Sequence, residues 1–223
     1  MRRLALLLGL ACAALPATVF GQLTTPTDWK WRQDAPAPLA AGATMTPGSW
    51  VFVQMPPGWH ITTGPGALLY PSSQGEVDGN FSIEAEIHLF PGTSPDEFGV
   101  FLGGREIENS ATPRYAAFVI RRDGSAAVLE RRGGESKAVA DWQRNAAILL
   151  HDGGSDTVKN VVRVDVDAAA ATMFVNGAKV LSVPRQQVPA EGRIGFRVGK
   201  DLNLHITTLN VTRKLAPVPI KKS

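Results

Sequence analysis

The chain has 223 residues, 44% of them apolar, and a formal charge of +3 that drops to +1 without Arg2 and Arg3. That is enough chain for one sizeable core, and the scattered basic residues give no nucleic-acid tract or polybasic membrane anchor, whatever the pI of 9.2 suggests. Sixteen prolines and 22 glycines, with few long helical patterns, favour an all-β domain rich in turns.

Residues 1–21 read as a secretion signal. Arg2 and Arg3 supply the positive start, Leu4 to Leu10 form a short apolar run, and small residues lead to a cleavage site after Gly21. A lipoprotein cut before Cys12 is the rival reading, although Gly9 stands where a larger aliphatic residue is expected. The apolar run is too short to span a bilayer. Cys12 is the one cysteine and leaves with the signal, so the mature chain is expected to hold together without disulfides, in a secreted or periplasmic location. Residues 22–48 read as an extended N-terminal segment in which Trp29 and Trp31 anchor a strand to the body. Residues 49–213 form the folded domain, and 214–223 a flexible tail.

Within the domain, Ser49 to Gln54, Trp59 to Thr62 and Ala67 to Tyr70 are short strands separated by Pro-Pro-Gly and Gly-Pro-Gly turns. Phe81 to Phe90 alternates strictly: Phe81, Ile83, Ala85 and Ile87 point one way; Ser82, Glu84, Glu86 and His88 point the other. Phe98 to Leu102 reads as a buried strand ending at Gly103-Gly104. Arg114 to Arg121 and Ala126 to Arg132 form a hairpin about Asp123-Gly124. Ala138 to Ile148 fits a strand or a short helical turn. Val158 to Pro184 contains a second alternating strand, with Val162, Val164 and Val166 opposite Arg163, Asp165 and Asp167. Asn176-Gly177 follows, a strong signal for a type I′ hairpin turn. Arg193 to Val198 and Leu204 to Thr212 are the last strands. About twelve strands at this spacing imply two antiparallel sheets face to face, or a barrel.

Four stretches carry a family resemblance: GNFSIEAEIHLF, EFGVFLGG, YAAFVIRRDGSAAVLERR, and VVRVDVDAAAATMFVNGAKV followed by GRIGFRVGKDLNLHITTLNVT. Over about residues 50 to 213 they resemble the concanavalin A-like lectin/glucanase superfamily, the jelly-roll sandwich shared by laminin G-like domains. Secreted domains of the 3-keto-disaccharide hydrolase type look similar in the same hairpin. The resemblance implies a two-sheet antiparallel jelly-roll sandwich, and a glycan or polysaccharide as partner. It does not settle activity, because that sandwich carries lectins, glycosidases and adhesion modules.

Glu84, Glu86 and His88 are the leading candidate site. Alternate strand residues lie about 6.6–6.8 Å apart, so two carboxyl tips could approach the roughly 5–5.5 Å of a retaining glycosidase. The laminarinase-like branch carries Glu-x-Asp-x-Glu on such a strand, whereas here the last acid is a histidine. Three readings follow: a solvated face with cross-strand ion pairs to Arg121 or Arg131, a sugar-binding groove in which Tyr115 and Arg121 lie beside Glu84, Glu86 and His88, and a carbohydrate-active enzyme using Glu84 or Glu86 with His88. An envelope domain presenting loops to a protein partner is a further alternative. Trp59, Tyr70, Tyr115 and Trp142 are the rings placed to stack on sugars; Phe118, Phe174 and Phe196 read as interior. The four histidines lack zinc spacing. Asp78, Asn80 and Asp201 are weak calcium candidates, and no other cofactor is indicated.

Overall fold

A computed structural model of the chain describes residues 24–35, 50–73, 75–108 and 111–214. The expected signal at 1–21, with Cys12, and the tail beyond Lys214 lie outside the described residues. The fold is all-β. One sheet has eight strands: β1 (Trp29–Gln33), β4 (Ala67–Pro71), β14 (Gly192–Val198), β7 (Glu97–Arg105), β8 (Arg114–Arg121), β9 (Ser125–Arg132) and β10 (Glu135–Arg144) in that spatial order, with β5 (Glu76–Val77) paired to the start of β14. The other has seven, in the order β13 (Ala178–Pro184), β12 (Ala170–Val175), β11 (Val158–Val166), β6 (Asn80–Leu89), β15 (Asn203–Lys214), β3 (Trp59–Thr62) and β2 (Val51–Gln54). The two pack face to face as an antiparallel jelly-roll sandwich. Among the described residues no helix is long and apolar enough to cross a membrane.

The alternation read in the sequence is the alternation of burial. Along β6 every second residue from Phe81 to Leu89 is buried, and Ser82, Glu84, Glu86 and His88 stay partly exposed. β11 pairs with it so that Val162, Val164 and Val166 stand beside Ala85, Ile83 and Phe81. These inner side chains meet Phe98, Val100, Phe118, Val128 and Phe196 from the eight-stranded sheet in one apolar core. Each side chain so buried contributes roughly 1.5–3 kcal/mol. Trp29 ties the layers together. Its ring stacks on Phe196 (5.2 Å between centroids, 8° between planes) and meets Phe52 of the opposite sheet edge-on at 5.9 Å. The N-terminal stretch is thus a working strand, β1 on β4. Arg197 locks its end, with both terminal nitrogens on the Asp34 carboxylate at 2.9 and 2.8 Å and Nε and Nη2 on Glu97.

Turns behave as their residues require. Asn176 and Gly177 both have positive φ (51° and 84°), as a type I′ turn needs. The Asp123-Gly124 hairpin instead has a three-residue loop with only Gly124 left-handed, and Asp123 Oδ1 accepts from the Ser125 amide. One open reading is decided and one expectation needs correcting. Of the stretch Ala138 to Ile148, residues 138–144 belong to a ten-residue strand, β10, and 145–148 form a turn beyond it; irregular pairing to β9 breaks the strand's period and hides it from pattern reading. Phe174 is not interior: Met173 and Val175 take the inner positions, and Phe174 faces outward beneath the Arg163 guanidinium, 4.4 Å from its ring centre.

Gly195, in the middle of β14, packs so closely that an added Cβ would collide with the Leu69 carbonyl oxygen and lie 2.9 Å from the Phe101 ring. Gly195→Ala is expected to cost about 1–3 kcal/mol in urea unfolding. Gly134→Ala, at a position where a Cβ meets nothing within 4 Å, is expected to be neutral or slightly stabilising.

Candidate functional site

β6 runs through the seven-stranded sheet between β11 and β15, and the outer face of that sheet is occupied by side-chain bonds. Glu86 Oε1 accepts from Thr207 Oγ1 at 2.9 Å and meets His88 Nε2 at 3.1 Å, while Lys159 Nζ lies 3.3 Å from Oε2. These bonds, His88 first and then Thr207, hold the Glu86 carboxyl below the usual carboxylate range. An anchored, ionised carboxylate cannot serve as a general acid. Glu84 stands between Arg163 and Asn210 in the register, but Arg163 turns to Asp165. The partners of Glu86 are His88, Thr207 and Lys159, not Arg121 or Arg131.

Tyr115 and Arg121 do not join that face. They lie on β8, in the other sheet, and point away from the core on the opposite side of the sandwich. Tyr115 is 6% exposed, edge-on to Phe101 at 5.7 Å, and burial raises its pKa. It belongs to a second apolar cluster on this outer face, with Leu68, Tyr70, Phe101, Ile107 and Val119. Arg121 lies flat on Trp142, 3.5 Å from the ring centre. The grouping of Glu84, Glu86 and His88 with Tyr115 and Arg121 in one groove is therefore overturned: the chain changes sheet between β6 and β7, which strand periodicity does not report.

At the calcium candidates, Arg185 Nη1 donates to Gly79 O at 2.9 Å and reaches Asn80 Oδ1 at 3.4 Å, while Asp201 faces Lys200 at 3.6 Å. Among the described residues no group of three His, Cys, Asp or Glu side chains is placed to hold a metal ion.

A large opening lies at the end of the sandwich where β14 begins and β15 finishes. β15 bulges at Thr207 in its pairing with β6, so Leu209 and Val211 stay opposite Ala85 and Ile83. β3 accompanies β15 only as far as Ile206. Beyond that point Val211 remains 40% exposed. A cleft of about 810 Å³ opens there, lined by Ser72, Ser73, Glu76, Val77, Arg193, Val211 and Arg213. Arg213 spans part of it, donating to Glu76 O at 3.1 Å. A second chamber of about 560 Å³ shares Glu76, Val77, Arg193 and Arg213 and continues to Asp78, Arg105 and Glu106. A smaller recess of mixed polarity, with Asp28, Trp59, Pro71 and Leu209, adjoins through Ser73 and Val211. Hydroxyls, two guanidiniums and a carboxylate thus stand beside an indole and aliphatic surface, the mixture that grips a polyol with one hydrophobic face. Of these residues the sequence marked Trp59, as a ring placed to stack on sugars, and Asp78, as a calcium candidate. The rest come from several separate stretches, and no local pattern joins them.

No family model matches the chain, and no curated protein matches it. Solved structures do resemble it. The carbohydrate binding module CBM66 from Bacillus subtilis superposes with a TM-score of 0.58 at 11% identity, over 75% of this chain and 94% of that one. A protein of unknown function with a galectin-like fold, also from Bacillus subtilis, gives 0.53 at 12% identity over 70% and 82%. An endo-beta-1,3-glucanase from Pyrococcus furiosus gives 0.51 at 13% identity over 72% and 76%. At these identities the likeness is one of fold.

A row of three histidines crosses the seven-stranded sheet: His60 on β3, His205 on β15 and His88 on β6, about 6 Å apart ring to ring. His60 is 2% exposed and neither ring nitrogen makes a well-formed hydrogen bond. Burial first, then His205, lowers its pKa to about 4, against a smaller opposing effect of Asn203. The unfolded chain takes the proton near pH 6.5 and the folded chain only near 4. This contribution is therefore whole above pH 6.5 and is lost as pH falls toward 4, by about 3 kcal/mol in total. Urea midpoints at pH 7 and pH 4.5 are expected to differ less in His60→Gln than in the wild type; equal differences would rule the residue out as the source.

Proposed function

We propose that this domain is a non-catalytic carbohydrate-binding module that holds a saccharide in the cleft between Ser72, Ser73, Glu76, Arg193 and Arg213. The observation that carries this reading is the cleft itself, in which hydroxyl, guanidinium and carboxylate groups face a space that also meets Trp59 and Val211. Planar charged groups pair with adjacent sugar hydroxyls, and apolar surface takes the C–H face of the ring. The sandwich architecture is the one seen in a carbohydrate binding module, which supports the reading at the level of fold. Export by residues 1–21 would bring such a domain to polysaccharide outside the cytoplasm.

A hydrolase using Glu84, Glu86 and His88 has less support, because Glu86 is ionised and bonded on both oxygens. A protein-docking role has little surface to use. Among the described residues the exposed large apolar side chains are Leu149, Leu150 and Val211, less than a contiguous patch requires.

Retention on immobilised polysaccharides, followed by titration with the oligosaccharide of the best binder, tests the proposal. Arg213→Ala and Arg193→Ala are each expected to weaken binding about tenfold or more, the worth of a hydrogen bond to a charged group. Replacing Glu84, Glu86 and His88 together by Ala is expected to leave binding unchanged. A folded protein that is retained on no polysaccharide, or that binds through the β6 face instead, would defeat it.

A further inference from the structure

The opposite end of the sandwich holds a cationic group without a counter-ion. Three loops meet there: the one leaving β6 at Phe90, the β8–β9 turn, and the one entering β15. They are fastened to each other. Ser94 Oγ donates to Lys200 O at 2.6 Å, the Lys200 amide donates to Asp96 Oδ2 at 2.6 Å, and the Gly199 amide donates to Glu97 O at 2.7 Å. Between them lies a cavity of about 710 Å³, whose lining includes Thr93, Ser94, Arg122, Lys200 and Asn203.

Arg122 reaches across from the tip of the β8–β9 turn, and Nη2 donates to Phe90 O at 3.0 Å. Among the described residues no carboxylate pairs with it. Its Nε is buried without a partner, and loss of solvent alone pulls its pKa down. The two acids of the cavity are engaged elsewhere: Asp96 with the Lys200 amide, Asp201 with the Lys200 ammonium at 3.6 Å. Asn203 Oδ1 is likewise buried and short of a well-formed hydrogen bond, with the His60 ring as a polar neighbour, and can still take a donor. A guanidinium drawn out of water with nothing to balance it is costly, and so is a buried carbonyl oxygen left unbonded. A single small molecule can relieve both. A carboxylate matches the planar fork of arginine, and a hydroxyl on the same molecule can donate to Asn203.

We infer that this cavity is a second binding site, for a hydroxycarboxylic acid whose carboxylate pairs with Arg122 and whose hydroxyl donates to Asn203. The same chemistry is offered by a free hydroxy acid and by a uronic acid unit of a saccharide. The site shares no residue with the cleft around Arg193 and Arg213, so either can fail without the other.

The test is a calorimetric titration of the full chain with glucuronate, lactate, acetate and glucose. Glucuronate and lactate are expected to saturate one site, acetate to bind several-fold more weakly, and glucose not to bind there. A preference for glucuronate over lactate assigns the site to a saccharide acid; the reverse assigns it to a free hydroxy acid. Arg122→Gln, which keeps a donor for Phe90 O, is expected to weaken binding about tenfold or more. Arg122→Lys, which keeps the charge but loses the fork, should fall between. Unfolding midpoints of both variants confirm that the loops stand. Absence of saturable binding by either acid, or undiminished binding by a folded Arg122→Gln protein, overturns the inference.

Discussion

Everything in this molecule depends on apolar side chains meeting between two sheets. The described residues include no cysteine, so no disulfide among them shares that task, and the one cysteine of the chain lies near its start. The inner positions of β6 and β11 must therefore be apolar at every second residue, and Trp29 must reach both layers. Once the inner faces are committed in this way, only the outer faces and the two ends can differ in chemistry.

The outer faces are largely used up. That of the seven-stranded sheet is closed by bonds among Glu86, His88, Lys159 and Thr207 and by the Arg163–Asp165–Lys214 set. That of the eight-stranded sheet carries its own apolar cluster around Tyr70, Phe101 and Tyr115, bordered by the Arg197 clamp. Charge that is paired on a surface contributes little to stability, but it also leaves few groups for a ligand. The ends are different. There strands stop at unequal points, and side chains such as Arg213 and Arg122 project over gaps instead of onto neighbours.

The sequence is a good guide to which face a residue takes and a poor guide to which sheet it joins. Phe81 to Leu89 and Val162 to Val166 were legible because alternation and burial follow from the same pleat. Asn176-Gly177 was legible because few residues tolerate its backbone. Sheet membership depends on long-range pairing, so Tyr115 and Arg121 were placed beside Glu86 when they lie on the far side of the core. Irregular pairing hid β10, and the inward turn of Met173 displaced Phe174. The cleft was the least legible feature: Ser72, Glu76, Arg193 and Arg213 are neighbours only after β5 has found β14 and β15 has found β6.

The bulge at Thr207 has a consequence for how this strand can change. A β-strand is a signal of period two, and one extra residue is a half-cycle phase shift. Upstream of it, Leu204 and Ile206 are in phase with the core. Downstream, the odd-numbered Leu209, Val211 and Arg213 are. Loss of Thr207 would straighten the ladder and leave Leu209, Val211 and Arg213 opposite their present partners, whereas loss of one residue between Thr208 and Val211, with the bulge kept, would send the end of the strand to the wet face. The cleft is written in the phase of β15: substitutions can tune its walls, and the bulge marks where a residue can be lost without turning them over.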